Sequence, residues 1–270
     1  MTELLNINNN GAHPNREDGS RSLKQRTLLV MTGLMLVVMA SGCAQSPKRF
    51  VLFGEQHDQI DQKTQVALTI AQQAKTHHLQ AVVLEMAERG RNTIGLPTDA
   101  EESDVQQRLH WHETGWPWSH YGPVVMTAVR AGIPVVGGNL PKAEQKIAAN
   151  ESRLDNLVTP QVHALIAEAV STSHCRSLPP EAVTRMVRIQ IARDDTMAQT
   201  LMAEAPQQPK STVLLLAGEQ HVASDRGVPQ HLMRRGITPQ DIHSVGFNDG
   251  DLPLDERLHA TVTPRPDPCK

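Results

Sequence analysis

The chain has 270 residues, 39% of them hydrophobic, enough to bury the core of one α/β domain, and its net charge is -3. That balance excludes a nucleic-acid partner held through overall basic charge, and 3 cysteines are too few for a disulfide scaffold. Only 3% of the chain is aromatic while 13 residues are histidine, so the placement of the rings carries information.

Thr27 to Ala40 is an apolar run without a charge, preceded by Lys24 and Arg26 and followed by Ala40-Ser41-Gly42-Cys43. A basic flank, a short apolar stretch and small residues before a cysteine read as a secretory signal over residues 1–42. The run is short for a membrane-spanning helix. The box around Cys43 resembles a bacterial lipoprotein site, with Cys43 as the lipidated first residue, residues 43–48 as a short linker and no Asp after the cysteine. That implies a lipid anchor in the cell envelope, at the outer membrane. The alternative is an ordinary signal anchor with an incidental cysteine.

Five apolar runs follow, at Phe50–Phe53, Ala81–Leu84, Ile133–Val136, Val213–Leu216 and Ile242–Val245. The best are continuous rather than alternating, as expected of strands buried on both faces of a parallel sheet. Helical patterns cover Asp61 to His77, Pro123 to Ala131 and Glu181 to Ala205. Strands alternating with helices predict an α/β domain over residues 49–260, a mostly parallel sheet with flanking helices. From about Pro141 to Pro206 no strand intervenes, which predicts a helical excursion over one end of the sheet. The tail from Thr261 holds three prolines and reads as an irregular strap. Cys175 and Cys269 are the thiols left to a mature chain in an oxidising compartment; they either pair, tying the C-terminus to the body, or stay free.

Ligands of open parallel sheets collect beyond the carboxyl ends of the strands, and polar residues fall there. Gly-Glu-Gln-His occurs twice, at Gly54–His57 and Gly218–His221, each time after an apolar strand. Glu55, His57, Glu219 and His221 together would suit a divalent metal; alternatively the histidines brace the loops. Between Leu109 and Pro123 lie all three tryptophans, including Trp116 and Trp118, the single tyrosine, Tyr121, and three histidines, His120 among them. Such a stretch offers flat faces and an anionic donor to a planar iron-bearing ligand, or forms a local aromatic core, or an interfacial belt. On the long helix, Arg185 and Arg188 share a face with Arg193 nearby, which suits carboxylate recognition or a solvated face. No haem-attachment motif is available to two cysteines so placed.

Taken in order, Gly54–Asp58, Leu84-Glu85-Met86, Gly115 to Tyr121 with Pro123, Asn139-Leu140-Pro141, His174-Cys175, Gln190 with Arg193-Asp194, and Gly218 to His221 followed by Gly227-Val228-Pro229 resemble the ChaN family of haem-binding lipoproteins, within the wider Tiki/TraB-like group. The resemblance implies a parallel-sheet fold, non-covalently held b-type haem, and a role in haem or iron uptake or storage at the bacterial surface. It also implies a homodimer enclosing two cofacial haems, with a tyrosine of one subunit on iron and a histidine of the other on a propionate. Tyr121 is then the axial ligand and His120 or His174 the propionate histidine. One departure stands out: family members often carry a histidine pair where this chain has Gln62-Lys63. The wider group also includes metal-dependent proteases with paired GxxH motifs, so a hydrolase using Glu55, His57, Glu219 and His221 is the alternative.

Overall fold

All five apolar runs form strands, at β1 (Phe50–Glu55), β2 (Leu79–Glu88), β3 (Val135–Asn139), β4 (Thr212–Gly218) and β5 (Ile242–Phe247). The computed structural model describes residues 49–206, 208, 210–267 and 269; the expected signal, Cys43 and the linker lie outside them. A three-residue edge strand, β6 (Glu256–Leu258), completes a six-stranded sheet of order β3-β2-β4-β1-β5-β6. Every ladder of that sheet is parallel.

Eight helices accompany the sheet among the described residues: α1 (Ile60–Lys75), α2 (Glu102–Leu109), α3 (Trp118–Arg130), α4 (Lys142–Ala148), α5 (Pro160–Ser173), α6 (Pro180–Ala203), α7 (Glu219–Val222) and α8 (Gly227–Arg234). One face of the sheet, through Phe53, Leu84 and Leu216, packs on Val66 and Ile70 of α1 and on Val124, Val125 and Ala128 of α3. The opposite face, through Phe50, Leu52, Val83 and Leu215, packs on Met197 and Leu201 of α6 and Leu232 of α8. Successive strand residues point to opposite faces, so strands covered twice must be apolar throughout. Each fully buried Leu or Val contributes roughly 1.5–3 kcal/mol.

The expected excursion is α4, a 3-10 turn at Ser152–Leu157, α5 and α6, with a core of its own around Leu154, Ile166, Val187 and Ile191. Thr159 caps α5 by accepting from the Val162 amide at 3.3 Å, and Pro160 occupies the first turn. Among the expected helices, one boundary differs by more than two residues. Helix α3 begins at Trp118 rather than Pro123, which lies inside it and costs one backbone hydrogen bond. Trp118 and Tyr121 on its buried face outweigh that loss.

Where β3 meets β2 the register shifts, and a Cβ on Gly137 would lie 2.0 Å from the Glu88 carbonyl oxygen. Backbone cannot yield as a side chain does. Gly137→Ala is expected to lower stability by about 3 kcal/mol in urea unfolding, against little change for Gly115→Ala, where an added Cβ meets nothing closer than 3.6 Å.

Candidate functional site

Strands β1 and β4 are neighbours, with Gly54 opposite Ala217 and Glu55 opposite Gly218. After β1 the chain leaves toward α1 on one face; after β4 it leaves toward α7 and α8 on the other. Such a switch point opens a crevice at the strand ends. The two Gly-Glu-Gln-His tetrapeptides flank it. Their glycines serve close approach rather than a left-handed turn. A Cβ on Gly54 would meet Val222 Cγ2 at 2.3 Å and the Glu219 backbone at 2.8 Å, and one on Gly218 would lie 3.3 Å from His57 Nε2.

The four acid and histidine residues do not converge on one ion. They separate into two histidine–carboxylate pairs. His57 Nδ1 bonds to Glu55 Oε1. His221 Nδ1 bonds to Asp194 Oδ1 of α6 at 2.5 Å. Both Glu55 oxygens are committed: Oε1 also accepts from the Tyr121 hydroxyl at 3.1 Å, and Oε2 faces the Lys63 ammonium. Glu219 opens α7, and burial raises its carboxyl above the ordinary value. Among the described residues, no group of three or more His, Cys, Asp or Glu is placed to hold a metal ion. The expected four-residue metal cluster is corrected accordingly.

Between the pairs stands Glu85 of β2. Its Oε2 accepts from the Gly218 amide at 2.7 Å, its Oε1 bonds Arg193 Nη2, and His221 Nε2 lies 3.6 Å from Oε1. Burial alone would raise this carboxyl, but His221, Arg193 and His57 hold it down to about 2. Arg193 also donates to Asn139 Oδ1 at 3.0 Å and to Gln190 Oε1 at 3.1 Å. Burial lowers the His57 imidazole, yet the Glu55 hydrogen bond and the charge of Glu85 bring it above 6.5.

The aromatic segment forms a mini-core, the second of the readings its sequence left open. Trp111 lies edge-on to Trp118 at 4.9 Å, and Trp118 Nε1 donates to Glu102 at 2.6 Å. Tyr121 is 1% exposed, with the Lys63 ammonium 5.2 Å from its ring centroid. Burial and the Glu55 charge push its phenol far above the ordinary value. Here the structure departs from the sequence expectation: the hydroxyl is sealed against Glu55, and none of Tyr121, Trp116, Trp118 and His120 lines the cleft at the switch point. Trp116 touches that cleft indirectly, edge-on to His57 at 4.7 Å.

The cleft holds about 430 Å³, within the roughly 300–1,000 Å³ range of small-molecule sites. Glu55, His57, Glu85, His221 and Glu219 line its sheet end, Arg193 and Asp194 its α6 side, and Ile166, Val170 and His174 its α5 wall. Of the arginines singled out from sequence, only Arg193 reaches it. Arg188 instead pairs with Asp155 at 2.8 Å within the excursion, and Arg185 is exposed one turn away. Sequence reasoning missed Lys63, Arg226 and Arg265 as site residues, and noted Glu85 and Asp194 without giving them roles. The signal for Glu85 and Asp194 was available, since an acid closing an apolar strand or interrupting an apolar helix stripe needs a partner. Cys175 and Cys269 are joined in a disulfide with Cα atoms 5.4 Å apart.

A family model for haem-binding uptake proteins (Tiki superfamily, ChaN) matches residues 44–232. No curated protein matches the chain in sequence. Among solved structures, ChaN of Campylobacter jejuni, known for cofacial haem binding, is similar with a TM-score of 0.62 and 22% identity over 76% of this chain and 83% of that one. The type III effector HopBA1 follows at a TM-score of 0.45 and 14% identity, covering 81% and 91%. An erythromycin esterase, EreC, scores 0.42 at 15% identity over 74% and 70%. The six-stranded parallel sheet agrees with the first of these, and the family match spans more than half of the chain: the protein belongs to the ChaN family of haem-binding uptake proteins in the Tiki superfamily.

Proposed function

We propose that this chain binds b-type haem non-covalently in the switch-point cleft and serves haem or iron uptake or storage at the bacterial envelope. Family membership supports the ligand class. One observation carries the placement: His57 gives Nδ1 to Glu55, which fixes its tautomer and leaves the Nε2 lone pair for the cleft, with the side chain 49% exposed. Bound haem would supply an iron that takes an axial nitrogen or oxygen donor. His57 is the donor best placed, because the Tyr121 phenol would have to leave Glu55 and lose its proton. His174, whose Nδ1 is 2.8 Å from the Val170 carbonyl, offers its Nε2 from the other wall.

Removal of residues 1–42, lipidation of Cys43 and outer-membrane anchoring belong to the same reading. The family match beginning at residue 44 supports it, as does the lipoprotein-like box. A haem-linked homodimer, which the family resemblance implies, belongs to it as well.

Haem titration followed in the Soret band tests the placement. Tyr121→Phe is expected to keep the wild-type spectrum, while His57→Ala weakens binding at least tenfold. Loss of the band in folded Tyr121→Phe would return the ligand role to the phenol. No spectral change in wild type would end the haem reading altogether.

The two carboxylate-backed imidazoles, Glu55–His57 and Asp194–His221, favour a second reading as a hydrolase in which one histidine activates water and the other protonates the leaving group. It predicts turnover of simple activated esters, lost in both His57→Ala and His221→Ala. Elemental analysis separates this from a metal-dependent version.

A further inference from the structure

Past residue 260 the chain lies along the segment that follows His57. The Thr261 amide donates to Asp61 at 2.6 Å. The Gln59 side chain pairs both ways with the Thr263 backbone, at 3.0 and 2.7 Å. Arg265 Nη1 donates to both Asp58 oxygens at 3.1 Å. The strap then reaches Cys269, joined to Cys175 just beyond α5, the helix that forms the opposite wall of the cleft. The strap therefore ties one wall to the other, and the residue it contributes to the cleft lining is Arg265. The family match ends at residue 232, so the strap itself lies outside the matched segment, while Cys175 and Asp58 to Asp61 lie within it.

Three arginines line the cleft, and they differ in what they have left to offer. Arg193 spends Nε, Nη1 and Nη2 on Asn139, Gln190 and Glu85. Arg226 grips Asp225 through Nε and Nη2, at 2.7 and 2.8 Å, and places Nη1 toward Gln220. Arg265 uses Nη1 alone; its Nε and Nη2 have no hydrogen-bond partner among the described residues, and its side chain is 54% exposed. A guanidinium with a free edge at the mouth of a cleft is suited to a bidentate carboxylate.

We propose that the C-terminal strap supplies the carboxylate subsite of the cleft: Arg265, held in place by the Cys175–Cys269 disulfide, binds a carboxylate of the ligand, and opening the disulfide withdraws it. The identity of that carboxylate as a haem propionate rests on the proposed function. The subsite itself does not. Both cysteines are exposed, so a dithiol reductant reaches the bond. Two electrons and two protons pass to the cysteines, giving two thiols, while the dithiol closes to its own disulfide.

The test uses oxidised mature protein, haem, and haem dimethyl ester, whose propionates are capped. Arg265→Gln is expected to weaken haem about tenfold and leave the dimethyl ester unchanged. Cys269→Ser, and wild type under dithiothreitol, should reproduce that pattern, while Arg185→Gln, outside the cleft, should not. Equal weakening of both porphyrins, or of neither, overturns the proposal. If wild type takes up neither porphyrin, the haem reading falls and the subsite is read separately. Glutarate should then protect Arg265 from phenylglyoxal in oxidised but not in reduced protein, mapped by peptide mass. Absence of that protection overturns the subsite.

Discussion

Replacing Lys63 with Met is expected to lower the unfolding free energy by about 3–5 kcal/mol at neutral pH, the cost of breaking a buried ion pair from one side. Lys63 is 1% exposed, and its ammonium faces Glu55 Oε2 while donating to the Gln56 carbonyl at 2.6 Å and the Gln59 carbonyl at 3.2 Å. Burial lowers this ammonium below its ordinary value against the upward pull of Glu55. Methionine matches the stem in volume, so packing on the Tyr121 ring survives and the charge is what is lost. The Glu55 carboxylate, buried away from solvent, then keeps its His57 and Tyr121 hydrogen bonds but loses the ammonium beside Oε2. Lys63→Met combined with Glu55→Gln should recover much of the loss, since no unpaired charge then remains. Urea unfolding of wild type, the two single variants and the double variant measures this cycle; a double variant no more stable than Lys63→Met would show that the ammonium stabilises through its backbone contacts instead.

The same residue shows where sequence reading stops. Strands β1 to β5 were visible because continuous apolar runs have one explanation in a parallel sheet, and the excursion because a long stretch without strands has few others. Edge strand β6 was invisible, since Glu256-Arg257-Leu258 is short and covered on neither face as the central strands are. The end-of-strand acids were visible as positions. Their partners were not. Lys63 reads as one more polar helix residue until α1 is laid across β1. Arg265 lies 207 residues from Asp58, in a tail whose course depends on a disulfide that spacing alone left undecided. Tyr121 misled for a physical reason: a scarce aromatic beside histidines suits a ligand and a buried core equally well in one dimension. Only the depth of α3 separates the two.

Glu85 should make the cleft the acid-sensitive part of the molecule. Its carboxyl sits at about 2 in the folded protein against about 4.5 when exposed, so its contribution is complete above pH 4.5 and is lost as pH falls from there toward 2. Each tenfold change in proton affinity is worth roughly 1.4 kcal/mol, which puts that contribution at about 3 kcal/mol. Protonation removes the counter-charge from Arg193 and weakens the acceptor for the Gly218 amide in one step. Glu85→Gln is expected to cost about the same at pH 7, because its amide cannot neutralise Arg193, and its stability should approach that of wild type near pH 2. Denaturation curves across pH 2–7 check the convergence. Parallel curves would mean that Glu85 acts by shape rather than charge. The local consequence comes first. As Glu85 is neutralised, the Arg193 guanidinium loses its contacting counter-ion and keeps only the neutral Asn139 and Gln190, so the cleft should lose its form before the two apolar faces of the sheet come apart. Fluorescence of Trp116, whose ring touches His57, is then expected to change at a higher pH than the far-ultraviolet signal of the helices.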